Sequence, residues 1–185
     1  TWEHLALTRA RLVAGPETLR AQIEAQIATR LTTPRKRSRI LADARDMRDK
    51  IAAQYPGRNR WDLKYAPGGL VDIEFLAQAL QLVHAPAHPA ILDTNTVAAL
   101  EKIAAAGFLE DADARLLIEA ARLEQALTQI LRIALDETLE ADTASAGLKM
   151  LLAGAGNAAD FAGLERDLFA RQDAVRAAFG RLMAD

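Results

Sequence analysis

Cysteine is absent from the 185 residues, which removes disulfide frameworks and thiolate chemistry and suits a cytoplasmic setting. Aromatic residues make up only 5% of the chain, and ten glycines and six prolines are spread thinly along it. No β-branched alternation and no low-complexity linker accompany them, so nothing argues for a sheet. No apolar run is long enough to span a bilayer, and the N-terminus lacks the features of a signal. Neither sign of charge dominates: 23 Lys and Arg against 25 Asp and Glu leave a net charge of −2, which excludes general nucleic-acid binding by the molecule as a whole. The chain starts at Thr1 in mid-pattern, without methionine, and is expected to be a piece of a longer protein.

What is abundant is Ala and Leu, and these predict an all-α fold, an up-and-down helical bundle forming one domain over residues 1–185. The first helix is expected over residues 2–13, anchored by Trp2, Leu5 and Leu12 and ended by Gly15-Pro16. A second runs from Pro16 to about Leu31, with Leu19, Ile23, Ile27 and Leu31 as a core stripe. A third, residues 35–50, is strongly charged, with Ile40, Ala44, Met47 and Ile51 as its apolar line. Further helices are expected over residues 69–84, 97–106, about 113–139, 144–153, and from Asn157 as the cap to about residue 183. In the longest, Leu116, Ala120, Leu123, Leu127, Ile130 and Ala134 form a bundle seam, with Arg122 and Glu124 beside it as surface or ion-pair groups.

Several patterns suggest chemistry and fail on spacing. His84 and His88 lie four apart, but Pro86 and Pro89 forbid a helix there, so no metal site is expected. Gly154 to Ala159 imitates a dinucleotide fingerprint but follows a helix instead of a strand. Asp111 and Asp113 are a close acidic pair at a helix start, where capping accounts for them. The run Arg35, Lys36, Arg37 is left without acids to pair with and suits an acidic partner or a phosphate, although such runs commonly form a solvated face.

The most informative stretch runs from Trp61 to Phe75 and on into Val83. Lys64 is followed by Gly68-Gly69 and then by Asp72-Ile-Glu-Phe75. Wound as a helix, Glu74, Gln78 and Gln81 share a polar face, while Asp72 falls on the apolar side between Leu76, Ala79 and Val83. A carboxylate there needs a partner, and free first-turn amides favour an anion. On residue types alone Asp72 is a capping acid and the glycines a tight turn.

The string Lys-x-x-x-Gly-Gly-x-x-Asp-Ile-Glu-Phe resembles the signature of the bacterial glutamine synthetase adenylyltransferases and their relatives, the uridylyltransferases of the PII signal protein. Ala66 departs from it, since many members carry a further glycine there. Trp2 to Arg11 with Val13-Ala-Gly15, Arg45 to Lys50, and Asn95-Thr96 with Ala99-Leu100 and Gly107 resemble the same family in the same order. The resemblance implies the helical domain that follows the nucleotidyltransferase core in the C-terminal half of a bifunctional enzyme. In the family that half transfers AMP from ATP, with Mg2+, to a tyrosine of glutamine synthetase; the other half removes it, and PII protein and glutamine adjust the balance.

The Gly-Ser motif and paired aspartates that hold magnesium in that superfamily are not found in this sequence, so no residue is expected to be catalytic and the chain alone is expected to be inactive. The resemblance makes Lys64, Gly68, Gly69, Asp72 and Glu74, with Arg9 and Arg11, a set near the nucleotide or the core. Lys64 would reach a phosphate or neutralise Asp72, the glycines would admit the core or nucleotide, and Asp72, paired with Lys64 or with an arginine from a neighbouring helix, would lock the loop. The helical domain of a uridylyltransferase and a non-enzymatic helical adaptor are the alternatives.

Overall fold

The computed structural model describes residues 2–184, and among them are eight α-helices, one 3-10 turn and no strand. The helices are α1 (Trp2–Leu7), α2 (Glu17–Leu31), α3 (Arg37–Gln54), α4 (Leu70–His84), α5 (Thr96–Ala105), α6 (Asp111–Ala134), α7 (Ala146–Ala155) and α8 (Phe161–Leu182); the 3-10 turn is Pro89–Ile91. The expected all-α bundle is what forms.

It is built around α4. Ten of its fifteen residues are buried, leaving Leu70, Glu74, Gln78, Val83 and His84 partly exposed, and α1, α3, α5, α6 and α8 all pack against it. A helix that is apolar nearly all round has to lie inside. The polar face read from the sequence is therefore narrower than expected: Gln81 is buried, and its Oε1 accepts the Asp93 amide at 2.8 Å. A second, smaller core of Trp61, Leu63, Leu127, Leu139, Leu152, Leu164 and Leu168 fills the angle between α6, α7 and α8.

Helix ends follow local chemistry. Asn95, Ser145 and Asp160 cap α5, α7 and α8, each side chain accepting an amide three residues on. Asp160, and not Asn157, is thus the cap of the last helix; Asn157 takes a left-handed conformation (φ 54°) just past α7. The first helix is shorter than expected and stops at Leu7, where the Thr8 hydroxyl donates to the Leu5 carbonyl at 2.7 Å. Trp2 is 57% exposed and lies at the surface, outside the core.

The α2 stripe is only half covered, since Leu31 is buried but Leu19 and Ile23 are 48% and 37% exposed. Its neighbour α1 has six residues against fifteen and is too short to cover four turns. In α6 the buried line is Ala114, Leu117, Ala120, Ala121, Glu124 and Leu127, one position round from the expected seam, and the helix ends five residues early so that Leu139 can enter the second core. His84 and His88 serve packing: both rings lie against Phe108, at 4.1 and 4.7 Å between centroids. Burial, then Arg37 and His88, hold His84 below the ordinary histidine range.

Candidate functional site

Residues 55–69 join α3 to α4 without regular structure, and their carbonyls supply what the start of α4 needs. Leu63 accepts the Leu70 amide at 2.9 Å and Lys64 accepts that of Val71 at 3.1 Å, so loop backbone satisfies helix-end donors that have no partner within the helix. Asp72 does not cap its own helix. It reaches back, and its Oδ2 accepts the Gly68 amide at 2.5 Å.

The two glycines are packing requirements. Gly68 has φ +81°, and a Cβ there would run into the carbonyl of Gln172 in α8. At Gly69 the obstacle would be the Leu63 carbonyl, 2.5 Å away. The close approach read from the sequence is therefore made by the chain's own backbone, and both glycines are buried.

Asp72 is fully buried and carries the charge that holds this loop. Arg48 of α3, 2% exposed, donates Nε to its Oδ1 and an Nη to the Tyr65 carbonyl at 3.3 Å. Arg176 of α8 stands 3.5 Å from the same oxygen. Of the two kinds of partner expected, Lys64 or an arginine from a neighbouring helix, it is arginines, from α3 and α8, that meet it; Lys64 is exposed, its Nζ 4.9 Å from the centroid of the Tyr65 ring. Arg60 fastens the other end of the loop to α8, donating to the Phe169 carbonyl at 2.6 Å, Asp173 at 2.8 Å and Gln172 Oε1 at 3.0 Å, while Gln172 Nε2 donates back to the Arg60 carbonyl.

Glu124 of α6 enters this cluster from below. It is fully buried, not at the surface as expected, and neither carboxyl oxygen has a hydrogen-bond partner. Burial, followed by the nearby Asp72, pushes it well above the ordinary carboxylate range. The Gln172 side chain and the Leu70 amide are close enough to act against that shift, but both donate elsewhere, to the Arg60 and Leu63 carbonyls.

Above the locked loop lies an open groove of about 950 Å3 between residues 61–65 and the C-terminal half of α6. Arg9, from the start of the chain, lines it together with Lys64 and Glu74; Arg9 is tied to Glu74 at 2.7 Å, and α6 adds Arg122 and Arg132. Arg11 does not join them. It lines a separate shallow groove with Glu24 and Asp93.

The basic run lies elsewhere and is not wholly free. Arg35 donates to the Thr33 and Arg30 carbonyls at 2.8 and 2.6 Å and so closes the end of α2, while Lys36 and Arg37 are exposed at the start of α3. Asp113, of the close acidic pair, is bound to Arg181 at 2.5 Å, and Asp111 is exposed. Arg48, Arg60, Glu124, Gln172 and Arg176 went unrecognised in the sequence. For Arg48 and Glu124 a signal exists: each continues an apolar line, Leu41-Ala44-Arg48 and Leu117-Ala120-Glu124.

Residues 45–183 match the family model described as GlnD PII-uridylyltransferase. The chain belongs to this family. All residues of the Asp72 cluster fall inside the matched region. Over 99% of its length the chain is 48% identical to the bifunctional glutamine synthetase adenylyltransferase/adenylyl-removing enzyme of Rhodopseudomonas palustris strain TIE-1. The proteins of the same name from Bradyrhizobium sp. strain BTAi1 and Xanthobacter autotrophicus are 46% identical over 100% and 99% of it. The chain spans only 18–19% of the length of these relatives. The Bradyrhizobium match, over all 185 residues, takes in residues 1–44, with Arg9, Arg11 and the Arg35–Arg37 run, which the family model leaves out.

Proposed function

We propose that the chain is the helical positioning domain of an enzyme that transfers AMP from ATP to a tyrosine of glutamine synthetase, and that it adjoins a nucleotidyltransferase core. The observation that supports this reading best is the double-glycine loop, fixed by Asp72 beneath a groove that gathers Arg9, Lys64 and Glu74, within a chain whose full length is matched by adenylyltransferases. The groove offers the exposed Lys64, with Arg9 beside it on Glu74, to the phosphates of a nucleotide or to the core that carries it. Its precision comes from below, because the loop bearing Lys64 is held by α3, α4 and α8 at once.

The chemistry belongs to the core. ATP and Mg2+ would act there; in this chain Asp113, of the close acidic pair, is bound to Arg181, and among the described residues no three His, Asp or Glu converge on one point. Glutamine synthetase and the PII protein are the proposed partners, and the cytoplasm the proposed location. The family model's own description keeps open a helical domain serving uridylyl transfer, but the Bradyrhizobium adenylyltransferase matches residues 1–44 as well.

The test uses the full-length enzyme with Arg9→Ala and Lys64→Ala together, beside the 185-residue chain alone. The double variant should transfer AMP to glutamine synthetase at least tenfold more slowly with an unchanged melting temperature, and the chain alone should label nothing. Labelling by the chain alone would place the chemistry in it, and a fully active double variant would remove the groove from the reaction.

A further inference from the structure

Glu124 has no role in holding the loop, yet it sits where the loop's fastenings meet. Buried polar groups are nearly always hydrogen-bonded, and here both oxygens of a carboxyl are unpaired. The neighbours explain why it is tolerated. Burial and the neighbouring Asp72 carboxylate oppose its ionisation, and the two nearby arginines, Arg48 and Arg176, are directed at Asp72 instead, so Glu124 is accommodated as the neutral acid. Other charges bordering α6 are engaged away from it: Glu101 with Arg122, Lys102 with Asp93, Arg171 with Glu119 and Asp167, Lys149 over the Phe161 ring, and Arg60 with Asp173. On α4, Glu74 pairs with Arg9.

Ionisation would disturb several fastenings together. A second carboxylate would repel Asp72, whose Oδ2 holds the Gly68 amide. It would also compete for the Leu70 amide, which closes the loop on Leu63, and for the Gln172 side chain, which ties α8 to Arg60. Gly68 rests on the backbone of that same Gln172.

We propose that Glu124 is a proton-operated latch: protonated, it leaves the Gly68–Gly69 loop locked on α8, and on losing its proton to solvent it releases the loop that shapes the groove. The direction follows from linkage. A carboxyl raised above its unfolded value favours the closed state at low pH, and that advantage is lost as pH rises from the ordinary carboxylate range through the raised value.

The experiment measures hydrogen–deuterium exchange of the 66–71 amides in the 185-residue chain, wild type and Glu124→Gln, from pH 5 to 9, corrected for the intrinsic pH dependence of exchange. In the wild type the opening constant should rise about tenfold per pH unit until the raised value is passed. The Gln variant, neutral and nearly isosteric, should stay flat. Parallel profiles in the two proteins would overturn the proposal. Should the variant fail to fold, carbon-13 NMR of the wild-type Glu124 carboxyl decides. Titration in the ordinary range near pH 4 refutes the latch, and titration well above it, together with the rise in loop exchange, supports it.

Discussion

Removing the Asp72 carboxylate would strip a buried arginine and a buried amide of their common acceptor. In Asp72→Ala, Arg48 stays 97–98% enclosed with only the Tyr65 carbonyl at 3.3 Å as partner, and the Gly68 amide loses its acceptor. Arg176, 46% exposed at its side chain, can turn to water and adds little. Breaking a buried ion pair from one side costs roughly 3–5 kcal/mol, and the orphaned amide adds about 1 kcal/mol or more; the two overlap, so about 4 kcal/mol is expected. For a chain of this size each kcal/mol lowers the melting point by about 2–4 °C, giving a fall of roughly 8–16 °C. Asp72→Asn keeps an acceptor and should lose less.

Arg48→Met combined with Asp72→Leu removes both charges and should recover at least half of the loss, as replacing a whole buried pair by apolar groups does elsewhere. Urea unfolding followed by far-ultraviolet circular dichroism reads all four proteins. An alanine variant within about 0.5 kcal/mol of wild type would refute the reasoning, because surface changes of no consequence fall in that range.

Gly68→Ala adds a collision with the Gln172 backbone to an unfavourable φ and should cost several kcal/mol in thermal melts. Gly107→Ala, at φ +77° with open space around it, should cost only about 1–2 kcal/mol from backbone strain. Arg35→Ala should fray the end of α2 and lower stability by about 1 kcal/mol, seen as faster amide exchange over residues 28–35, whereas Lys36→Ala should leave those amides unchanged.

Asp72 was legible because a lone acid on an apolar helix face demands a partner, and the demand is local. Which arginines pair with it was not, since nothing local links Asp72 to Arg48: Arg48 lies among bases and acids that pair four apart, and its own lack of an acid three or four residues away marks it as facing inward without saying what it meets. Arg176 lies more than a hundred residues away. Glu124 illustrates the same limit: its place on the buried line of α6 depends on a rotation of one residue in the packing, which the mixed spacing of Leu116, Leu117, Ala120 and Leu123 does not decide. For α2, period gave the apolar face correctly, but period says nothing about whether a neighbour is long enough to cover it.

The dependence of the double-glycine loop on α8 has a consequence in time. Arg60 and Asp173 are 113 residues apart, and the Gly68 and Asp72 contacts with α8 span a similar distance. At synthesis rates of roughly 5–20 residues per second, several to about twenty seconds pass between the emergence of the loop and that of the helix it must rest on. Throughout that interval Arg48 and Asp72 can meet, but Gly68 has no backbone to lean on. The most distinctive residues of this chain are therefore among the last to settle, and a ribosome stalled before residue 176 holds a loop with its signature written but its shape not yet set.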